Sequence, residues 1–337
     1  MQKILLQNRN QIFFANDHKN KQTEIIKYQI MKSTIKKSIK FLCDKNYRFL
    51  INAQLGFYNS MPDKEYLMRM FKARMGKELN LNNVKTYNEK LQWLKLYNRN
   101  PMHTMMVDKI KVKDYVAKKI GNQYIIPTLE IWNNPNQINF EELPNKFVLK
   151  CNHNSGKGMC ICKNKANLNF KLVKKDLFKG LKEDYYLKSR EWPYKNVPRK
   201  ILAEKYIEDR EGKLIDYKFF CFDGFVYCVM ACTERQTGNP KFFFFDKDWE
   251  LLPIIDYSYY PKSSFNITAP STLKEMFVIA SELSKGLPCV RVDLFSCDEK
   301  IYFGELTFFS EAGFDSTFLP DSDNLLGSFI NLETVKI

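Results

Sequence analysis

The stretch that most limits what this chain can become is RVDLFSCDEKIYFGELTF, Arg291 to Phe308. Two β-type runs flank a polar turn, and each carries one carboxylate among apolar neighbours. Side chains alternate between the faces of a strand, so Arg291, Asp293 and Phe295 are expected on one face, and Phe303, Glu305 and Thr307 on one face of the next run. If SCDEK turns the chain back, Asp293 and Glu305 meet across neighbouring strands. Paired carboxylates raise each other's pKa unless a cation lies between them, and Mg²⁺ carried with nucleotide phosphates is the common solution. Thr307 would add a third, neutral oxygen. Arg291 suits charge developing on a phosphoryl group or a tetrahedral adduct; the alternative is a structural ion pair with Asp293.

A second constellation lies earlier, in KFVLKCNHNSGKG. Phe147 and Leu149 face one way, Val148 and Lys150 the other. A lysine on the inner face of a strand is costly unless an anion meets it. Asn154, Ser155, Gly156, Lys157 and Gly158 then offer backbone that can approach phosphates closely. This is neither a Walker loop, which needs Gly-Lys-Ser/Thr opening a helix, nor a protein-kinase order, where the glycine loop precedes the strand lysine.

The rest of the chain fits a mixed α+β protein. Residues 1–30 read as a polar extension with weak periodicity. Residues 31–121 read as helical, beginning with a basic amphipathic helix whose stripe is Ile35, Ile39, Phe41 and Leu42. That stripe is expected to pack against the main body, with contact to anionic lipid or glycan as the functional alternative. Asp63 and Asp108 are placed as N-caps, Asp108 opening a helix over Lys109 to Ile120, and Gly76 and Gly121 as stops. Residues 122–200 alternate strands with the glycine loop and a lysine-rich helix. Residues 201–337 hold a strand running into a connector at Glu204 to Ile207, a hairpin turning at Asp223-Gly224, the strand KFFFF, a helix over Pro270 to Lys285, the opening stretch, and a tail without clear periodicity.

Fifty-three Lys and Arg against 38 Asp and Glu leave a net charge of +15, which favours anionic partners without choosing among them. Nine cysteines, an odd number, and an opening that turns polar before any long apolar run read as free thiols in a reducing cytoplasm. Cys151, His153, Cys160 and Cys162 are too tightly spaced for a zinc knuckle, and their alternation suits small core side chains. Asp321-Ser322-Asp323 matches the short acidic motif by which some glycosyltransferases hold a metal.

The order of parts, Lys150, glycine loop, AEKYI, RVDLF and GELTF, resembles the ATP-grasp fold. FVLKCNHNSGKG, EWPYKN and DYKFFCFDG make the chain similar, within that fold, to the TupA-like family associated with teichuronopeptide and capsular polysaccharide synthesis. The resemblance implies two α+β lobes clamping ATP behind an N-terminal helical region. It puts Lys109 and Lys150 on the phosphates, Glu204, Lys205, Tyr206 and Ile207 at the adenine hinge, Asp216 near the ribose and Lys218 near the phosphates, with Mg²⁺ on Asp293 and Glu305. The family's wider pattern has asparagine where this chain has Thr307. The chemistry implied is carboxylate–amine ligation through an acyl phosphate, with Arg235 gripping a substrate carboxylate. The expected partners are ATP, a carboxylate-bearing glycan or amino acid and an amine, with no nucleic acid, and with peripheral contact at the inner membrane face. The rival readings are a kinase of a sugar hydroxyl on the same fold, a glycosyltransferase using Asp321 and Asp323, and a basic binding protein.

Overall fold

The computed structural model describes residues 31–210, 214–234 and 238–335, and divides the chain into two compact units, one ending at Ser60 and one beginning at Met61. The reading of residues 1–30 lies outside the described residues. In the first unit a helix over 31–43 (α1) is followed by Lys45–Gln54 (α2), with Asp44 as N-cap accepting from the Tyr47 amide at 2.9 Å. Phe41 leaves the expected stripe: with Thr34, Ser38, Tyr47 and Ile51 it lines a shallow groove. Met31 completes the stripe instead, and Met31, Ile35, Ile39 and Leu42 are 51–71% exposed.

The second unit opens with four helices, Asp63–Met75 (α3), Tyr87–Tyr97 (α4), Pro101–Val107 (α5) and Val112–Ile120 (α6). Two expected caps fail for one reason: the carboxylates have stronger partners. Asp63 is the first residue of α3 and makes no cap, because its oxygens accept from Arg99 at 2.7 Å and Tyr186 at 2.5 Å. Asp108 accepts from the Ile110 amide and the Asn152 side chain, holding a turn over 109–111, so the helix starts at Val112. Thr86 and Glu89 form a reciprocal capping box on α4. His103 of α5 is buried with its ring 4.3 Å from that of Phe308, and burial pulls its pKa down to about 4. A depressed histidine stabilises the fold above the unfolded pKa near 6.5 and loses that contribution as pH falls toward 4. Urea titrations of wild type are therefore expected to show a loss of about 3 kcal/mol across that window that a His103→Phe variant lacks.

Two antiparallel sheets follow. The smaller has Thr128–Trp132 (β1), Phe147–Cys151 (β2), Met159–Cys162 (β3) and Ile201–Lys205 (β4) in the order β1-β4-β2-β3. Its Phe147, Leu149, Cys151, Ile201 and Ala203 face packs on Val173 and Leu177 of Phe170–Lys182 (α7), the Phe, Leu, Ile and Val side chains each contributing about 1.5–3 kcal/mol by burial. The short helix Tyr185–Ser189 (α8) follows. The larger sheet has Asp216–Phe222 (β5), Phe225–Thr233 (β6), Lys241–Phe245 (β7), Val290–Cys297 (β8) and Lys300–Thr307 (β9) in the order β7-β6-β5-β8-β9, with Leu273–Ser284 (α9) against β5, β6 and β8. Asp223 and Gly224 make the β5–β6 turn at φ 46° and 86°, as an Asp-Gly hairpin requires.

The β8–β9 pair carries one irregularity. Asp293 pairs with Glu305 and Leu294 with Phe303, so Gly304 is an extra residue. A Cβ at 304 would lie 3.0 Å from the Asp293 carbonyl and 3.0 Å from the Phe295 ring. The bulge turns Phe303 into the core, away from the expected face, while Glu305 and Thr307 keep theirs. The tail also departs from expectation: Pro320–Ser328 forms a helix (α10) packed on α4.

Candidate active site

The charged residues converge on β5, β8 and β9. Cross-strand register sets Lys218 beside Asp293 and Asp293 beside Glu305. Asp293 is buried; its oxygens accept from Arg291 Nε and Nη2, both at 2.7 Å, and from Lys218 Nζ at 2.5 Å. Lys218 also reaches Asp216 at 2.7 Å. Burial works against the Lys218 charge, but Asp293 and Asp216 outweigh it and hold the ammonium above its usual pKa. Arg291 continues to Ser310 Oγ at 2.9 Å and Thr307 Oγ1 at 3.2 Å, and Thr307 donates to Glu305 at 3.3 Å. The Glu305 side chain is 34% exposed, with Lys109 at 3.6 Å and Arg291 at 3.7 Å. Burial opposes its charge, yet Lys109, Lys218 and Arg291 hold its pKa down to about 2, with water screening part of that attraction.

Lys109 reaches this cluster from the helical segment. Asn152, fully buried at the end of β2, fixes it: the Asn152 carbonyl accepts from the Lys109 amide, and its side chain binds Asp108, the Pro198 carbonyl and the Lys200 amide. Lys109 Nζ then donates to the Asn154 carbonyl at 2.9 Å, tying the glycine loop to the strand that carries Glu305. Lys150 is on its expected face, and the anion it meets is Glu204 at 2.5 Å. Lys113 takes the other Glu204 oxygen at 2.6 Å and binds Thr128 Oγ1 and the Ile126 carbonyl. Burial raises the cost of the Glu204 charge, but Lys150 and Lys113 keep its pKa low.

The two glycines of the loop differ in role. Gly156, at φ 83°, has open space where a side chain would go, whereas Gly158 at φ 63° backs onto Cys151 and the Cα of Gly180 in α7. Ser155 is exposed, and Lys157 pairs with Glu183 at 3.1 Å. The Asn154 side chain turns inward to Gly180 and Glu183, so only its backbone faces Lys109. At the connector, β4 extends through Lys205. Lys205 and Ile207 line a cavity of about 670 Å³ with Tyr124, Thr128 and Tyr302; Tyr206 lies against Lys146 and Lys163. None of the charged cluster lines that cavity. Arg235 lies outside the described residues.

Three features escaped the sequence reading. Lys113 and Asn152 position charged residues through contacts between distant segments. Met159 and Ile161, 51% and 55% exposed, share the Lys150 and Glu204 face of the small sheet with Val148 and Leu202, an apolar surface beside the charges; their alternation with Cys160 and Cys162 was the available signal. Behind β9, the turn Ser310–Gly313 holds Glu311 and Ala312 at φ 47° and 54°. Buried Lys95 donates to Ala312 O at 2.7 Å and Ser189 O at 2.8 Å, and Gln92 to Gly313 O at 2.6 Å. Asp323 is claimed by α4, accepting from the Asn88 amide and side chain at 3.0 Å, which removes half of the Asp321/Asp323 pair from metal binding.

The donor set fits Mg²⁺ delivered with a nucleotide. Two facing carboxylates and a hydroxyl are too few for a protein cage, and no group of three or more metal-binding side chains occurs among the described residues. Mg²⁺ usually takes one or two carboxylates and completes its shell with phosphates and water. Lys109, Lys113, Lys150, Lys218 and Arg291 give five positive charges against four on Glu204, Asp216, Asp293 and Glu305. Such a site balances a triphosphate only with an added cation.

Residues 89–331 match the model of the TupA-like ATP-grasp family. No curated protein matches. Among solved structures, a D-alanine–D-alanine ligase from Bacillus anthracis complexed with ATP is 18% identical over 68% of this chain and 65% of its own, with a TM-score of 0.41. The corresponding ligase from Helicobacter pylori is 14% identical over 72% and 68%, at 0.42. The ATP-grasp ligase PsnB, complexed with a phosphomimetic variant of its minimal precursor, Mg and ADP, is 11% identical over 74% and 66%, at 0.38. The chain thus spans just under two thirds of the first of these structures. The family model covers well over half of the sequence, and the chain belongs to the TupA-like ATP-grasp family.

Proposed function

We propose that the protein is an ATP- and Mg²⁺-dependent carboxylate–amine ligase that modifies a surface or capsular polysaccharide or its precursor. The observation that carries this reading is the in-register Asp293–Glu305 pair with Lys218 of β5 on Asp293 and Lys109 of the helical segment beside Glu305. In it, Asp293, Glu305 and Thr307 hold Mg²⁺, which offsets phosphate charge. Lys109, Lys150 and Lys218 bind the phosphates with the backbone of Asn154 to Gly158, and each trades an internal carboxylate or carbonyl partner for a phosphate oxygen. The Lys150 face of the small sheet, with Met159 and Ile161, covers the base, and Glu204 to Ile207 supply the hinge. Asp216 orients Lys218 and lies toward the ribose. Arg291, held by Asp293 and Ser310, stabilises the anion formed as an amine attacks an acyl phosphate. Arg235 is assigned the substrate carboxylate. ATP and nine free cysteines suit the cytoplasm, and the inner membrane face is where a surface-polymer precursor is met.

Product analysis tests the chemistry. With candidate uronic or amino acids and amines, inorganic phosphate is expected only when both substrates are present. Phosphate retained on a sugar product would replace the ligase with the kinase reading.

A further inference from the structure

We infer that the helix over residues 31–43 is a membrane-surface element that lies flat on a bilayer containing anionic phospholipid. At 100° per residue, Met31, Ile35, Ile39 and Leu42 fall within an arc of about 80°. All four are more than half exposed. Lys32 and Lys36 border that arc on one side with Lys40 beyond them, while Thr34 and Ser38 border the other. No acidic residue occurs between Met31 and Cys43. Phe41, turned away from the centre of the stripe, lines the groove with Leu42, Tyr47 and Ile51. The helix therefore has one apolar face used inside its own unit and a second that is open, formed by Met31, Ile35 and Ile39 together with Leu42, which also lines the groove.

Charge selects the occupant of the open face. A second copy of the helix would set four lysines against four lysines with no acid to pair them, the opposite of what a paired-helix seam needs. A bilayer with anionic headgroups accepts the stripe at the acyl boundary and pairs the lysines, whose stems reach along the apolar surface to the headgroups. The described part of the helix is apolar along one side and carries four lysines elsewhere, the pattern of a helix lying in the interface plane; no described helix is long and apolar enough to cross. The inference rests on the cytoplasmic placement in the reading above, but not on the ligase chemistry.

The test is sedimentation of the full chain with unilamellar vesicles of phosphatidylcholine alone or with one third phosphatidylglycerol, with magnesium-dependent ATP binding measured on the same preparations. Binding only to the phosphatidylglycerol vesicles is expected, at least tenfold weaker in both Ile35→Ser/Ile39→Ser and Lys32→Glu/Lys36→Glu, with ATP binding unchanged. Equal binding to both vesicle types overturns the inference. So does binding that survives the serine changes, which would reflect net charge alone, or an oligomer that the serine changes dissolve without any vesicle binding. ATP binding lost in wild type would instead overturn the ligase reading and leave the vesicle result standing.

Discussion

Replacing Asp293 by asparagine is expected to cost about 3–5 kcal/mol of folding free energy, because it leaves buried cations without their shared anion. Asparagine leaves one neutral acceptor oxygen where Arg291 and Lys218 had two charged ones, so Arg291 keeps at most one of its 2.7 Å bonds and Lys218 keeps Asp216. Denaturant midpoints measure the loss. The size of the effect comes from the unpaired charge more than from the pair's own worth, so an Arg291→Met/Asp293→Asn double variant is expected to be less damaged than the two single losses added together. Additive losses would mean that the two side chains act independently.

The second large effect belongs to Lys95, which is 1% exposed. Its ammonium binds the Ala312 and Ser189 carbonyls and Gln92, and lies 4.6 Å from the Phe314 ring centroid. Lys95→Met is expected to cost about 3 kcal/mol, since each buried carbonyl left without a donor costs about 1–3 kcal/mol. Burial pushes the Lys95 pKa down to about 7 against some support from Glu191. A lysine depressed in the folded state contributes stability that is complete above its unfolded pKa near 10.4 and is lost as pH falls through about 7. The gap between wild type and the methionine variant should therefore widen from pH 7 to pH 10; a gap that stays constant over that range would show the folded protein holding the charged form. The same change frees the left-handed turn at Glu311 and Ala312, where non-glycine residues cost about 1–3 kcal/mol each to hold, next to the Ser310 that steadies Arg291.

What the sequence conveyed well was local. Alternation along β2 put Lys150 opposite Phe147 and Leu149, the Asp223-Gly224 turn set the β5–β6 hairpin, and the SCDEK turn brought Asp293 to Glu305. The failures lie where a distant partner overrides a local preference. Asp63 and Asp108 look like caps, but Arg99, Tyr186 and Asn152 claim them from far along the chain. Phe303 obeys its strand period only until the Gly304 bulge reverses it, and a lone glycine does not announce which way a bulge turns its neighbours. Lys150 is expected to meet an anion, and the fold sets Glu204 of β4 beside it; two segments 54 positions apart in sequence become neighbours only once the sheet order is known. Thr307, the departure from the family's pattern, sits between Arg291 and Glu305 with its hydroxyl bonded to both.

The central claim is that the Asp293–Glu305 pair is the metal floor of a nucleotide site. Calorimetric titration of ATP with and without Mg²⁺, on wild type and Glu305→Gln, tests it most directly. ATP carries about four negative charges, more than the single net positive charge of the cluster can balance. Wild type is expected to bind ATP at least about tenfold more tightly with Mg²⁺ than without it, and Glu305→Gln to lose that difference. Wild type that binds ATP equally well with and without Mg²⁺, or does not bind it at all, would contradict the account.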